Sequence, residues 1–353
     1  MTDSNRTGFG NTAARLLTIG GLISAVASAF AWTAGWLDPT RLTPQRLIDQ
    51  VEHNIGVHAG YRRAHAKGMC VTGYFEGNGQ ASAYSRASVF TAERIPVLGR
   101  FATANGNPHS TDDSVPVRSL ALRFDLPDGQ QWRTAMNAIA VAPFATPQTF
   151  YDQAVASRPD PATGKPDPAV MQAFFDAHPD TLPFRTWIKS FTPSSSWANG
   201  TYNGLDAFRL LNAQGNSQAV RWSMVSELPY APLADTDKTD PDFLHRDLQR
   251  RLNQGELRFH LILTLAAASD PTNNATLAWP AERQQIDAGT LVLQQAISQD
   301  EGACRDVNYD PTILPDGIAT SDDPLLGARS AVYSESFNRR TFENASASTS
   351  TRP

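Results

Sequence analysis

The sequence predicts an antiparallel α+β domain, and three observations carry that expectation. Short apolar or alternating runs from about residue 67 to 124 are broken by turns rich in Gly, Asn and Pro, the pattern of strands joined by tight connections. Helical stretches follow and strands then resume, in unequal runs and without βαβ alternation. The 24 prolines and 23 glycines are spread along the chain, which argues for many turns and against a helical bundle.

The first element stands apart. From Leu16 to Leu37 the chain carries no charge and is rich in Leu, Ile, Ala and Gly, with Arg6 and Arg15 before it. That is long enough to cross a bilayer at helical rise, and the positive flank favours an N-in orientation. Ala27-Ser28-Ala29 fits a signal-peptidase site, so residues 1–38 read as a cleaved signal or a membrane anchor. Either one exports the rest of the chain to the periplasm or its membrane face. A buried core helix is the plain alternative, weakened by the terminal position and the lack of a polar face.

Thr43 is placed as N-cap and Pro44 at the first position of the next helix, whose apolar residues follow at helical spacing. The runs 70–75 and 117–124 read as strands, and Pro127-Asp128-Gly129 as a turn. Helical pieces run from Pro147 to about Ser190, interrupted by the Pro-rich loop 159–168. The runs 207–212 and 218–225 form a hairpin about Asn212–Gly215. A capped helix starts at Asp240, and 256–265 alternates as a strand. The Ser/Thr-rich end, 343–353, reads as a disordered tail.

Bulk properties narrow the function. A net charge of −5 and the lack of a basic run argue against a nucleic-acid partner. No G-x-G-x-x-G or P-loop is present, which disfavours a nucleotide cofactor. The only cysteines, Cys70 and Cys304, exclude a disulfide framework, a Cys-rich zinc site and an all-cysteine cluster. We expect two buried, unreactive thiols, although one disulfide is arithmetically open. The seven histidines form no H-E-x-x-H or H-x-H pattern.

Four segments carry chemistry. In Arg329-Ser-Ala-Val-Tyr333-Ser-Glu-Ser-Phe-Asn-Arg-Arg340, offsets of four and seven residues place Arg329, Tyr333 and Arg340 on one helix face. A guanidinium beside a phenol favours phenolate, a ligand for ferric iron. Scattered arginines on a surface helix are the plain reading. In Arg62-Arg-Ala-His65-Ala-Lys-Gly68, His65 is either a surface histidine or an acid/base beside an anion-binding arginine. The third segment is Gly99-Arg100-Phe101-Ala102-Thr103. In the fourth, Asn137 is either a turn residue or a buried amide that orients a polar substrate.

Together these segments, from about residue 43 to 342, resemble the haem catalase family, and more closely its branch of catalase-related peroxidases. The R-x-x-H-A-K-G string is similar to the family's distal-histidine motif. Arg100-Phe101-Ala102-Thr103 and the strand 117–124 follow in the family's order. Leu314-Pro-Asp-Gly-Ile318, Ser321, Arg329-x-x-x-Tyr333 and Arg340 match the spacing around its proximal tyrosine. The resemblance implies a catalase-like antiparallel β-barrel with surrounding helices and one haem pocket in residues 39–342. It implies one b-type haem per chain, with Tyr333 as the axial iron ligand kept ionised by Arg329. Arg62, Arg100 and Arg340 would pair with the haem propionates, and Phe150 would stack over the haem, unless it is an ordinary core aromatic. His65 and Asn137 would be catalytic.

The family usually has serine at the position of Ala102, where the hydroxyl helps to fix the distal histidine. Thr103 is the substitute the sequence offers. The missing serine counts against efficient peroxide disproportionation, and the shortened chain implies a more open pocket; both suit a peroxidase that uses peroxide and a small organic electron donor. A true catalase, a fatty-acid hydroperoxide isomerase and a non-redox haem-binding protein are the rival expectations. An oligomer is left open.

Overall fold

The computed structural model of the protein describes residues 7–33, 36, 38, 40–91 and 94–350. It falls into two units, 1–43 and 44–353. The first unit is α1 (Thr7–Thr33), in which Thr12–Thr33 is long and apolar enough to cross a membrane, with a mean hydropathy of 1.7. Leu37, the far end of the expected apolar run, lies outside the described residues.

The second unit begins with α2 (Pro44–Ile55), then β1 (Gly68–Gly77), β2 (Arg94–Thr103), β3 (Arg118–Asp125) and β4 (Gln131–Asn137). Three helices follow: α3 (Pro147–Ala156), α4 (Pro168–Ala177) and α5 (Leu182–Ile188). Then come β5 (Thr201–Leu211), β6 (Ser217–Ser226), α6 (Phe243–Gln254), β7 (Leu257–Leu265), β8 (Gln285–Ser298), β9 (Ile318–Thr320) and α7 (Pro324–Ser350). Every strand from β1 to β8 pairs antiparallel with its neighbours in sequence, and β8 returns to β1. The pairing of Asn137 with Asn203 joins β4 to β5 and closes an eight-stranded barrel. β9 adds to the outside of β5.

Eight strands leave an interior just wide enough for side chains. Here aromatic residues fill it. Phe124 stacks on Trp132 at 4.8 Å, Trp132 meets Trp222 edge-on at 5.0 Å, and Trp222 stacks on Phe208 at 4.1 Å. Alternation along each strand then decides what faces outward. In β4, Trp132, Thr134 and Met136 are buried, while Arg133, Ala135 and Asn137 take the other face. In β3, Leu120, Leu122 and Phe124 are buried, and Ala121 and Arg123 lie on the other face.

The hairpin at Asn212–Gly215 and the turn at Gly129 form as expected, with Gly215 and Gly129 both at a φ of about +81°. Three features differ from the sequence reading. The expected strands include none of β4, β9 and β8. The apolar run of β8 is broken by Gly289 at φ +144° and by polar Gln294 and Gln295, and its pairings with β1 and β7 both shift register. Cys70 and Cys304 are not free thiols but form a disulfide with Cα atoms 5.4 Å apart. The chain brings β1 against the turn at 303–306, a contact that no local pattern encodes. Last, α7 continues to Ser350 through the segment expected to be a disordered tail. Glu343 pairs there with Arg63 and accepts from the Gly60 amide at 2.8 Å, and Asn344 accepts from Arg305 at 2.9 Å. Residues 351–353 lie outside the described residues.

Candidate active site

The outer face of β2–β4 forms one wall of a cleft of about 850 Å³. Strand register sets that wall in two rows: Arg100, Ala121 and Ala135 lie side by side, and so do Ala102, Ser119 and Asn137. Alanine and serine at four of these six positions leave space against the sheet that larger residues would fill. Ile48 and Val51 of α2, Phe150 of α3, and Val332, Tyr333, Ser336 and Arg340 of α7 complete the cleft.

His65 enters the cleft from the loop before β1, at a φ of 56° that side-chain-bearing residues seldom adopt. Its Nδ1 lies 2.8 Å from Ser119 Oγ, which also lies 2.8 Å from Asn137 Oδ1. An amide oxygen can only accept, so the serine hydroxyl donates to Asn137. The serine oxygen then accepts from Nδ1–H of His65, which leaves Nε2 unprotonated. Burial lowers the His65 pKa to about 3, with Arg100, Arg329 and Arg62 adding to the effect. The imidazole is therefore neutral at physiological pH, with its Nε2 lone pair free.

The hydroxyl expected at position 102 or 103 thus comes from Ser119, one strand over. Thr103, the expected substitute, is fully buried and its hydroxyl finds no partner among the described residues. Sequence order hides Ser119, because it meets Ala102 only through the β2–β3 register.

Across the cleft, α7 presents Tyr333. Arg329, one turn earlier, donates to the Tyr333 oxygen at 3.3 Å and to the Ala135 carbonyl at 3.0 Å. Its guanidinium also pairs with Asp206 of β5, a residue only 3% exposed that the sequence reading missed. Burial works to lower the Arg329 pKa, but Tyr333 and Asp206 outweigh it and hold the side chain cationic.

Three more guanidiniums share one end of the cleft. Arg62 donates to the carbonyls of Cys304 at 3.0 Å and Val307 at 2.8 Å. Arg340 reaches the carbonyls of Val307 at 3.3 Å and Arg305 at 3.4 Å. Arg100 donates to Gln299 Oε1 at 3.1 Å and to the Ala66 carbonyl at 3.0 Å. Gly68 permits that placement, since a Cβ there would stand 2.8 Å from the Arg100 guanidinium. Among the described residues no carboxylate lines the cleft. Burial depresses the pKa of Arg62 and Arg100, and it brings Arg340 to about 9 with the help of Arg62. Arg340 Nε is buried without a partner among the described residues. Such a cluster is poorly compensated by neutral carbonyls and suits a ligand that carries two carboxylates.

The remaining predicted residues find places near or behind the cleft. Phe150 lines it with its ring 4.9 Å from that of Phe144. Lys67 of the histidine motif points elsewhere, to Asp112 at 2.9 Å and Asp242 at 2.7 Å, where it fastens the loop. Tyr309, unforeseen in the sequence, also lines the cleft, and burial raises its pKa to about 12. A haem fits these residues. Its flat ring suits the small-residue wall, its two propionates suit the arginine cluster, and its iron suits a phenol oxygen held against a guanidinium.

Comparisons with known proteins identify the family of the chain. The family model described as "Catalase" matches residues 24–348. The chain is 38% identical over 322 residues to a catalase-related peroxidase of Synechococcus elongatus, covering 91% of this chain and 95% of that protein. It is 32% identical to a catalase-related peroxidase of Mycolicibacterium paratuberculosis, covering 85% and 95% of the two chains. The structures of a fungal catalase and a bacterial catalase superpose with TM-scores of 0.72 and 0.70 at 19% and 20% identity. This chain spans 60% and 62% of their lengths, and the likeness bears on fold alone. The chain belongs to the catalase family, in its branch of catalase-related peroxidases.

Proposed function

We propose that this chain is a peroxidase that binds one b-type haem and reduces hydrogen peroxide or organic peroxides at the expense of a small organic donor. The observation that carries this reading is the cleft itself. His65, held by Ser119 and Asn137, faces a phenol–arginine pair across it, and an arginine cluster without a lining carboxylate closes one end. Arg62, Arg100 and Arg340 would hold the two propionates, Tyr333 would ligate the iron, and Phe150 would pack against the ring. Bound there, haem supplies the electrons that the peroxide takes up as its O–O bond breaks. The protein handles the protons. His65 Nε2 takes the proton from the near peroxide oxygen and returns it to the far one, which leaves as water or alcohol. Ser119 keeps the imidazole in the tautomer this requires, and Asn137 holds the peroxide by hydrogen bonding.

A second reading, disproportionation of hydrogen peroxide, gains from one observation. Ser119 provides the hydroxyl whose absence at Ala102 counted against it. Export is also part of the proposal. The apolar α1 supports it, and so does a Cys70–Cys304 disulfide, a bond that persists mainly in oxidising compartments. Fractionation of cells that express the full chain, with N-terminal sequencing, distinguishes anchor from cleaved signal.

The decisive experiment loads the purified protein with haem and follows its absorption with and without peroxide. We expect dye oxidation by the wild type and a loss of about 100- to 10,000-fold in His65→Ala with haem retained. Unchanged turnover in that variant would sink the mechanism. Oxygen release measured beside dye oxidation separates the two readings. Isomerised product from a lipid hydroperoxide, without donor consumption, would overturn both.

A further inference from the structure

A second cavity, of about 520 Å³, lies on the other side of Arg62. Gly60, Tyr61, Arg62, Gln299, Asp300 and Arg305 are in its wall. Arg62 is common to the two linings, and Gln299 is the residue that accepts from Arg100. The cavity therefore stands directly behind the arginine cluster, and exposed Asp300 gives it access to solvent.

Its charges do not cancel in the way those of an ordinary surface pocket do. Arg62, Arg100 and Arg340 are engaged by the propionates in the reading above. Arg305 is a fourth guanidinium, and its charge adds to the field that lowers the Arg340 pKa. Its side-chain hydrogen bond goes to a neutral partner, Asn344, and no carboxylate forms an ion pair with it among the described residues. Asp300 accepts from the Tyr61 hydroxyl at 3.5 Å. Burial and Asp300 both raise the Tyr61 pKa, so the phenol keeps its proton. The wall thus offers a cation for an anionic oxygen, a carboxylate for a neighbouring hydroxyl, and a phenol that can donate or pack.

We propose that this cavity binds a small, hydroxylated, monoanionic reductant of the enediolate class and is the enzyme's site for anionic donors. The inference rests on the peroxidase reading and names the donor that reading leaves open. For a donor AH⁻ the sum is AH⁻ + ROOH + H⁺ → A + ROH + H₂O. The donor loses two electrons and one proton, the O–O bond breaks, and the two oxygens leave as ROH and water. Separate cavities let peroxide and donor be present together, with His65 serving one and Arg305 the other.

The test uses the haem-loaded full chain with ascorbate as the anionic probe and guaiacol as the neutral one. Arg305→Glu reverses the charge, and Ala59→Trp, at the exposed rim, fills the space. We expect each to raise KM for ascorbate at least tenfold while guaiacol turnover stays within twofold. Calorimetric titration of ascorbate, without peroxide, should show the same loss of affinity. An unchanged ascorbate KM, or an equal effect on both donors, overturns the site. If wild-type protein oxidises neither donor, the peroxidase reading fails. In that case the calorimetric titration still decides whether the cavity binds the anion, and no wild-type binding that Arg305→Glu abolishes would sink this inference.

Discussion

The two walls of the main cleft are built in opposite ways. On one side a single helix, α7, contributes Tyr333, Ser336 and Arg340 at offsets set by the helical turn, with Arg329 behind Tyr333 on the same helix. On the other, a loop contributes Arg62 and His65, and three strands contribute one group each: Arg100, Ser119 and Asn137. The helix holds its groups rigid relative to one another, because one backbone carries them all. The strand wall depends on register, since a slip of one residue would turn Ser119 into the barrel and Leu120 into the cleft. The helix wall is a fixed comb. The strand wall is an assembly, and it can be re-cut by exchanging residues between neighbouring strands.

The comparison can be broken first on the helix wall. Asp206 lies outside α7, yet the ion pair with it holds Arg329 against Tyr333. Asp206→Ala would leave that guanidinium poorly compensated. We expect a loss of roughly 3–5 kcal/mol in unfolding free energy, together with weaker haem retention. Denaturant titration and a haem-transfer assay measure the two. A variant as stable as wild type would mean that α7 holds its comb without help from the barrel.

The strand wall makes the next prediction. Ser119→Ala should leave the fold intact and slow the reaction with peroxide about 10- to 100-fold, equivalent to about 1.4–2.7 kcal/mol, because the imidazole loses its fixed tautomer. Adding Ala102→Ser to that variant should restore most of the rate, since position 102 is the register partner of 119. Stopped-flow absorption is the measurement, and asparagine positioning is its control. If the swapped hydroxyl does nothing, the strand wall is as fixed as the helix wall and the contrast fails.

This difference also explains what could be read from the sequence. The proximal motif was legible because its contacts are local: Arg329, Tyr333 and Arg340 lie within twelve positions of one another. The barrel was legible as alternating runs, apart from β4 and from β8, where Gly289 and the Gln294-Gln295 pair blur the alternation. Ser119, Asp206 and the Cys70–Cys304 bond were not legible. Each works across a separation that only the closed barrel removes, 54 residues from Ser119 to His65 and 234 between the cysteines. The tail illustrates the converse. Its composition favours disorder, yet Glu343 and Asn344 meet Arg63 and Arg305, and the helix continues.

The smallest effect tests the strand wall through its charge. Folded His65 takes up a proton only near pH 3, because burial and the neighbouring arginines oppose it. In the unfolded chain the imidazole takes one near its ordinary value of about 6.5. Between these values the unfolded state holds more protons, so stability rises with pH across the window and falls as pH drops from about 6.5 toward 3. His65→Asn removes the titrating group, and asparagine tolerates the positive φ of this position. In haem-free protein we therefore expect wild type to lose more stability than His65→Asn between pH 7 and 4.5, by on the order of 1–2 kcal/mol. Urea unfolding of both proteins at the two pH values is the measurement. Equal losses would mean that the cleft solvates His65 in the absence of haem. The preference for a neutral imidazole would then come from the filled site and would not be built into the strand wall.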